Sequence, residues 1–390
     1  MRFKSSVKSG ALVLVNLLLS GMSFLIPKDD KLILFGAAEG VKFIGNPKYM
    51  FLFLHNRNEG HKLQWITKNK DTYHTLKKRL LPVLYLYSWD AFSAILRARY
   101  LMISHSVVDV SYSYLLPGRF TKIETWHGSP IKCIGKHDRH YRTPIEKMLN
   151  IATKSLERRS YHTILASSAE VQRILKSAFE NKRIEVLGYP RNDVFFDRNL
   201  FFCDYERELN LERYDKVILY CPTFRDTATP PAFSENFLFT LSNKLREKNY
   251  VFLAKGHFGT NDIDIHEFPS IIDVSHTVED VQELLTCTDI LITDYSSVVF
   301  DFTLLDKPII FYAYDLDLYL RTSRKMYYDY YKDFPGPFAR NEEELLTILL
   351  RIDELFKDHT YKEEYQAFKL RFNRYVKGGY CQLLYDHLNL

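Results

Sequence analysis

The chain has 390 residues; 46% are hydrophobic, and 28 Phe and 27 Tyr make it rich in aromatic side chains. This length exceeds what one hydrophobic core usually holds, so we expect two domains, and the composition excludes a disordered chain. A net charge of +5 gives no reason to expect a nucleic-acid partner. Five cysteines without a C-x-x-C pair are typical of a reducing compartment.

The N-terminal segment differs from the rest of the chain. Three basic residues precede an apolar run over residues 11–26, which ends at Pro27. The run is short for a membrane span, which needs ~20 apolar residues, and no clean cleavage site for a secretory signal follows it. Its polar residues fall on one stripe of a helix, so we predict an amphipathic helix over 1–27 that lies on an anionic membrane surface. The alternative is a packed N-terminal helix of the first domain.

Apolar, strand-like runs alternate with helix-compatible segments along the remaining chain. In the first half these runs are 31–37, 62–68, 98–104, 122–126, 162–168 and 183–188. After a polar and aromatic stretch they resume at 216–222, 250–256, 270–275, 289–293 and 308–314. Such alternation predicts parallel sheets covered by helices. We therefore predict an α/β chain with two Rossmann-like domains facing each other, at 28–200 and 201–390.

The first candidate site follows a strand of the first domain. Residues 126–130 read WHGSP and come directly after the strand-like run KIETW. Gly128 and the proline make a tight turn, which exposes the imidazole of His127. The alternative is that His127 only occupies the turn and has no chemical role. The strand-end position and the neighbouring Lys132 favour a chemical role, because ligands of such sheets collect at the carboxyl ends of strands.

The second candidate site follows strands of the second domain. Arg225 comes after its first strand, His257 after its second, and the turn from Asp294 to Ser297 after the run DILIT. Ser296 and Ser297 open a helical segment whose free N–H groups and hydroxyls can bind an anion. The alternatives are that the serines only cap the helix and that Arg225 only pairs with the next aspartate. Together these groups predict a site for a diphosphate.

A basic segment follows the first candidate site. It spans residues 132–159 and contains eight Lys and Arg residues. It is either a solvated face or a contact with anionic lipid or a diphosphate-linked lipid. The sequence has no G-x-x-x-x-G-K-[ST] loop, no G-x-G-x-x-G and no H-E-x-x-H. We therefore expect neither an ordinary NTPase nor a nicotinamide enzyme, and no cofactor or catalytic metal.

The motifs together resemble those of the CDP-glycerol glycerophosphotransferase family of teichoic acid synthesis. The matching segments are WHGSPIK (126–132), GYPRND (188–193), PTFRD (222–226), KGH (255–257), TDYSSVVFDF (293–302), KPIIFYAYD (307–315) and PGP (335–337). They occur in the family's order over roughly residues 30–340. The chain departs from the family where Ser129, Phe258 and Lys325 stand in place of the usual Thr, Pro and Gly.

The resemblance implies roles for particular residues. The two essential histidines of the family fall on His127 and His257. The donor-phosphate contacts fall on Arg225, Ser296 and Ser297, with support from Asp294 and Asp301. Gly128 and Lys132, which lie close to His127 in the sequence, complete the predicted substrate-binding set.

The resemblance also implies a fold, a location and a reaction. It implies a fold of the glycosyltransferase B type, with the donor held mainly by the second domain, in a peripheral enzyme on the cytoplasmic face of the cell membrane. The enzyme would transfer glycerol phosphate from CDP-glycerol to an undecaprenyl-diphosphate-linked saccharide or polymer and release CMP. Members of the family that build long polymers often carry an extra N-terminal region, whereas the first predicted strand of this chain begins near residue 31. The chain therefore looks most like the enzyme that primes the polymer. The alternatives are a ribitol-phosphate transferase that uses CDP-ribitol, a nucleotide-sugar glycosyltransferase, and a membrane-surface binding module without activity.

Overall fold

The structure is a computed structural model. It describes residues 18–19, 21–112, 116, 118–138, 157–223, 232–256, 267–322 and 325–390. The chain divides into two compact units. Unit 1 consists of Met1–His127, Gly135–Asp193 and Gly378–Leu390, and unit 2 consists of Gly128–Ile134 and Val194–Lys377. The segment directly after His127 therefore belongs to the second unit, and the C-terminal residues belong to the first.

Unit 1 is built on a seven-stranded sheet in which the strands run parallel. Its strands are β1 (Asp29–Phe35), β2 (Lys62–Thr67), β3 (Val83–Tyr85), β4 (Ala98–Ile103), β5 (Thr121–Glu124), β6 (Thr163–Ala166) and β7 (Ile184–Val186). They lie in the order β3-β2-β1-β4-β5-β6-β7. Strand β6, in the interior of the sheet, is buried along its whole length, as expected of a parallel sheet that is covered on both faces.

Unit 2 is built on a six-stranded parallel sheet. Its strands are β8 (Lys216–Tyr220), β9 (Tyr250–Ala254), β10 (Ile271–Asp273), β11 (Ile290–Thr293), β12 (Ile309–Tyr312) and β13 (Phe338–Ala339). They lie in the order β10-β9-β8-β11-β12-β13. Aliphatic and aromatic side chains together form a core on this sheet; the rings of Phe233 and Tyr312, for example, stack at 5.4 Å between centroids.

Helices connect the strands in both units. In the described chain after β1, the α-helices are α1 (Gly45–Arg57), α2 (Lys70–Lys78), α3 (Trp89–Arg97), α4 (Ala169–Phe179), α5 (Tyr205–Glu208), α6 (Glu235–Glu247), α7 (Val281–Thr286), α8 (Val298–Phe302), α9 (Leu316–Thr322), α10 (Tyr330–Asp333), α11 (Glu342–Leu350), α12 (Ile352–Leu355), α13 (His359–Phe372) and α14 (Tyr380–Leu388). Several begin where a side-chain oxygen accepts the first free N–H groups, as Asn69, Ser88 and Ser168 do. Among the described residues, no helix combines the length and the apolar character that crossing a membrane requires.

The C-terminal helix α14 is fixed to unit 1 by a buried carboxylate. The Asp193 side chain accepts the backbone N–H groups of Tyr380 (3.0 Å) and Cys381 (2.7 Å). These are the first residues of α14, whose preceding residue, Gly379, has no side chain that could cap the helix. Asp193 thus supplies the cap from another part of the chain, and this explains why residues 378–390 belong to unit 1.

In each sheet, the first three strands follow one another in one direction, and the fourth strand returns to pair with the first strand on its other side. In unit 1 the reversal lies between β1 and β4, and in unit 2 it lies between β8 and β11. Loops that leave the carboxyl ends of two such strands diverge, and the crevice between them is where open α/β sheets bind ligands. The fold therefore provides one candidate ligand-binding crevice in each unit.

The predicted fold class is confirmed, since both units are parallel α/β sheets of the Rossmann type. Each strand predicted from the sequence is present. Two further strands, β3 and β13, lie at sheet edges and have three and two residues. The sequence prediction did not include these two segments, and their pairing with β2 and β12 identifies them as strands.

Candidate functional site

The turn that carries His127 is held from several sides. It follows β5, and the backbone N–H and hydroxyl of Thr125 both donate to the carbonyl of Ile103 at the end of β4 (2.7 Å each). The side-chain amide of Asn46, at the start of α1, donates to the carbonyls of Thr125 and Trp126 (2.8 Å each). The guanidinium of Arg191 donates to the His127 carbonyl at 2.6 Å. The turn is therefore rigidly placed, while the His127 side chain is exposed.

A buried carboxyl group stabilises the unusual backbone of this turn. Trp126 has φ of 58°, a left-handed conformation that a bulky residue rarely adopts. The Oε1 atom of Glu124 accepts the Trp126 backbone N–H at 2.9 Å. Gly128, two residues later, is buried with φ of 149°, which favours glycine. A strained backbone held by its surroundings is common at functional sites.

The hydrogen bond of the His127 ring defines its tautomer. The Nδ1 atom lies 3.0 Å from the carbonyl oxygen of Ser104, which can only accept. In the neutral ring Nδ1 therefore carries the proton, and Nε2 is the nitrogen that can take one. The hydrogen bond thus defines both the tautomer of the neutral ring and the nitrogen that can accept a proton.

Sequence reasoning missed a second imidazole beside the first. His105, after β4, stacks on His127 with 4.2 Å between ring centroids and 4° between ring planes. Its Nδ1 lies 2.7 Å from the Ser104 hydroxyl oxygen. The neighbours Ser104 and His105 carry no recognisable motif, although their position at the end of a predicted strand, next to the strand that precedes His127, could have pointed to them.

Both histidines depend on Asp109, which is fully buried. Its carboxylate accepts the backbone N–H groups of Glu39 (2.7 Å), Ser104 (2.8 Å) and His105 (2.9 Å). Burial raises the pKa of Asp109, and the nearby His105 and these N–H donors oppose that rise. Asp109 thus joins the loop after β1 to the loop after β4, at the switch point of the unit 1 sheet.

In unit 2 a second buried aspartate occupies the corresponding position. Asp294 follows β11, and its Oδ1 accepts the backbone N–H of Thr223, which follows β8, at 2.7 Å. The hydroxyl of Tyr330 donates to the Asp294 carbonyl at 3.1 Å. The hydroxyl of Tyr295 donates to the Asp315 carboxylate at 3.2 Å. Asp294 therefore joins the two loops at the switch point between β8 and β11.

Lys132 also contacts Thr223, which follows β8. It lies in Gly128–Ile134, and it pairs as an isolated antiparallel bridge with Met326. Its ammonium group lies 3.4 Å from the hydroxyl of Thr223 and 5.5 Å from the centre of the Tyr319 ring. The structure thus brings Lys132 and Asp294, which are far apart in sequence, into contact with the same residue, Thr223.

Ser296 and Ser297 begin a short helix, as predicted. Helix α8 covers five residues and continues as a 3₁₀ turn over Thr303–Leu305. Both serines are half-buried, and the Ser297 side chain makes no capping hydrogen bond to the helix. Asp301 is buried in α8. The capping alternative therefore does not account for Ser297.

Two predicted residues, Arg225 and His257, lie outside the described residues. The strands that precede them, β8 and β9, are direct neighbours in the sheet. The described chain after β9 ends at Gly256, whose backbone N–H donates to the Ser275 hydroxyl at 2.9 Å. A Cβ at Gly256 would approach Pro222 to 3.1 Å, so these two loops pack closely.

The described part of the basic segment is partly neutralised. Lys136 and Arg159 both form ion pairs with Glu180, at 3.2 and 3.4 Å. Arg158 lies over the Phe179 ring at 5.3 Å. The remaining basic residues of the segment, Arg139, Arg142, Lys147 and Lys154, lie outside the described residues. The solvated-face interpretation therefore fits Lys136 and Arg159, but not Lys132.

Covalent and metal chemistry have little support among the described side chains. Burial raises the pKa of the Cys221 thiol, at the end of β8, to about 12, so the group is protonated at neutral pH and a poor nucleophile. Within the part of the chain that the structure describes, no group of three His, Cys, Asp or Glu residues could hold a metal ion. The expectation that no cofactor is needed stays a prediction.

Comparison with known proteins decides the family. Residues 18–389 match the model of the CDP-glycerol:poly(glycerophosphate) glycerophosphotransferase family. The chain belongs to this family. The predicted family membership and the predicted enzyme class, a glycerophosphotransferase, are both confirmed.

Individual members of the glycerophosphotransferase family resemble the chain over most of its length. A teichoic acid glycerol-phosphate transferase of Staphylococcus aureus is 32% identical over 375 residues, which cover 92% of this chain and 93% of that protein. A teichoic acid glycerol-phosphate primase of Bacillus subtilis is 32% identical over 75% of this chain and 76% of the primase. A solved structure of a variant of the wall teichoic acid polymerase TagF, soaked with CDPG, has a TM-score of 0.79 and 27% identity; the match covers 98% of this chain and 92% of that one.

We expect Glu124 to make the stability of this glycerophosphotransferase depend on pH. Burial and the charge of Asp109 raise the pKa of Glu124 well above its ordinary value of 4.5. The stability that neutral Glu124 contributes is fully present below pH 4.5 and is lost as the pH rises from there through the folded-state pKa. Glu124→Gln keeps the oxygen that accepts the Trp126 N–H but cannot ionise. Its Tm should therefore fall less than the wild-type Tm as the pH rises.

Thermal unfolding of both proteins at a series of pH values from 5 to 9 measures this difference. Glu185→Gln, on strand β7 of the same sheet, is the control and should follow the wild type. An identical pH dependence of Tm in the wild type and Glu124→Gln would contradict the prediction.

Proposed function

We propose that the chain transfers glycerol phosphate from CDP-glycerol to a hydroxyl of a membrane-anchored, diphospho-undecaprenol-linked disaccharide or polymer. CMP is released, and the product serves the synthesis of wall teichoic acid or a related capsule. The family match and the CDPG-soaked TagF variant support the donor. The observation that carries the proposal is that the His127 imidazole is exposed at a strand end, while its Nδ1 is hydrogen-bonded to the Ser104 carbonyl.

The proposed reaction needs a base and a site for negative charge. The acceptor hydroxyl attacks the phosphorus that bears glycerol, its proton passes to Nε2 of His127, and the bond from this phosphorus to CMP breaks. General-base assistance of this kind is typically worth ~10²–10⁴ in rate. Because phosphoryl transfer proceeds by positioning and charge stabilisation, no covalent enzyme intermediate is required.

The charge of the diphosphate would be compensated in unit 2. The proposed contacts are Lys132, Arg225, His257, Ser296 and Ser297. Helix α8 is short, so hydroxyl and cationic donors rather than a helix dipole have to supply most of the compensation. Each well-placed donor to a developing charge is worth ~3–4 kcal/mol. Asp294 and Asp301 would stabilise the conformation of the proposed diphosphate site.

Product analysis tests the reaction. We expect incubation with CDP-glycerol and a synthetic lipid-linked disaccharide to release CMP and to add glycerol phosphate to the lipid, as measured by mass spectrometry. Parallel incubations with CDP-ribitol and with UDP-sugars distinguish the alternatives. Efficient transfer from either of those donors, with none from CDP-glycerol, would replace the proposed function.

Substitution of His127 tests the base. His127→Ala should lower turnover at least ~100-fold, because the proton acceptor is lost. Its Kd for CDP-glycerol, measured by calorimetry, should stay within about twofold of the wild type because the proposed phosphate contacts are elsewhere. His137→Ala, which removes an imidazole bonded to the Ser177 hydroxyl, is the control and should be fully active. Ordinary turnover in His127→Ala would remove His127 from the mechanism.

We also propose that the N-terminal segment attaches the enzyme to the cytoplasmic face of the membrane. Residues 1–17 and 20 lie outside the described residues, but 18–19 and 21–25 are helical. Ser23 is buried there and its hydroxyl oxygen accepts the Arg119 backbone N–H, whereas apolar side chains such as Leu18 (67%) and Leu25 (85%) are exposed. Exposed leucines on a helix with a buried polar residue favour contact with lipid.

Deletion of residues 1–26 should therefore move the protein from the membrane fraction to the soluble fraction, as measured by sedimentation with vesicles that contain anionic lipid. The double substitution Leu18→Asp and Leu25→Asp should weaken sedimentation in the same way, because charged side chains are costly in the lipid interface. If the shortened protein still sediments fully with vesicles, the basic segment becomes the better candidate for attachment.

A further inference from the structure

The stacked arrangement of His105 and His127 follows from strand pairing. Strands β4 and β5 are neighbours, with Ile103 paired to Glu124. The residues that leave these two strand ends must therefore run side by side. His105 is the second residue beyond Ile103, and His127 is the third beyond Glu124. The 4.2 Å separation and 4° angle between their rings are thus produced by the register of the sheet.

A single residue, Ser104, bonds to both rings. Its carbonyl accepts from Nδ1 of His127 at 3.0 Å, and its hydroxyl oxygen lies 2.7 Å from Nδ1 of His105. Its backbone N–H, like that of His105, donates to Asp109. The relative position of the two imidazoles is therefore tied to one buried carboxylate, and neither ring can shift without loosening the contacts of the other.

The stack restricts the remaining freedom of the base. A hydrogen bond at Nδ1 alone fixes one point of the His127 ring and leaves rotation about that point. The parallel face of His105 adds a plane against which the ring must lie, and Trp126 makes a further ring contact at 4.1 Å. Because the hydrogen bond fixes the position of Nδ1 and the His105 ring fixes the plane of the His127 ring, the direction of Nε2 is fixed as well.

We propose that His105 is a positioning residue of the glycerophosphotransferase reaction, in which its ring face orients His127 for proton transfer from the acceptor hydroxyl. This inference rests on the proposed role of His127 as the base. His105 acts through His127, so the requirement is for a flat aromatic face at position 105, not for an ionisable group. A misplaced catalytic group can reduce rate ~100-fold, even when substrate binding is intact.

Three variants of exposed histidines test the proposal. His105→Ala removes the ring face and should lower kcat about 10- to 100-fold, with the KM for CDP-glycerol within about twofold of the wild type. His105→Phe restores a flat face without titratable nitrogens and should recover most of the lost kcat. His55→Ala is the matched control, because His55 is an exposed imidazole of unit 1 that also stacks on a ring, that of Phe51, and should keep wild-type kcat.

The outcomes separate this inference from the proposed function. If His127→Ala is inactive while His105→Ala has wild-type kcat, His127 remains the base and the positioning role of His105 is wrong. If His105→Phe is as slow as His105→Ala, the ring face is not what matters and the proposal is likewise overturned. If His127→Ala keeps ordinary turnover, the proposed base itself fails. Circular dichroism of each variant confirms that kcat is compared between folded proteins.

Discussion

The buried carboxylate of Asp109 is the interaction on which the arrangement of unit 1 depends. Parallel strands deliver their carboxyl ends to one edge of a sheet, but the loops that follow β1 and β4 turn away from each other at the switch point. Asp109 accepts backbone N–H groups from both loops. Without such an acceptor, the buried N–H of Ser104 would be unsatisfied, at a cost of about 1–3 kcal/mol. Because Ser104 is one of the donors, the position of His127 depends on this carboxylate as well.

In unit 2, a buried aspartate likewise connects the two loops that leave the switch point. Asp294 follows β11 and accepts the N–H of Thr223 after β8, at the switch point of the second sheet. In both units, an aspartate that closes the switch point stands beside groups suited to chemistry: two imidazoles in unit 1, and Lys132 with the serine pair in unit 2. The two aspartates are structural acceptors, and the groups that would meet substrate are carried by the loops they fix.

The chemistry assigned to the two units is complementary. In the proposed reaction, unit 1 would supply the base, His127, with a defined tautomer. Unit 2 would supply hydroxyl and cationic groups, and desolvation raises the pKa of the Cys221 thiol, so that it stays protonated at neutral pH. This division suits transfer of a phosphoryl group, in which a hydroxyl must lose a proton while charge on a diphosphate is compensated. The family match, over nearly the whole chain, is consistent with such an enzyme.

The sequence by itself determined the strands, the α/β class, the family and the positions of His127 and Ser296–Ser297, because continuous apolar runs and strand-end turns are local patterns. It could not reveal β3 or β13, whose few residues become strands only by pairing with a neighbour. It placed His105 just after a predicted strand but could not reveal the stack with His127, because the stack depends on the register between β4 and β5. Lys132 is close to His127 in the sequence, yet it lies against Thr223, more than 90 residues away. Those facts were decided by tertiary structure, since hydrogen bonds between strands, and not local propensity, set which loops become neighbours.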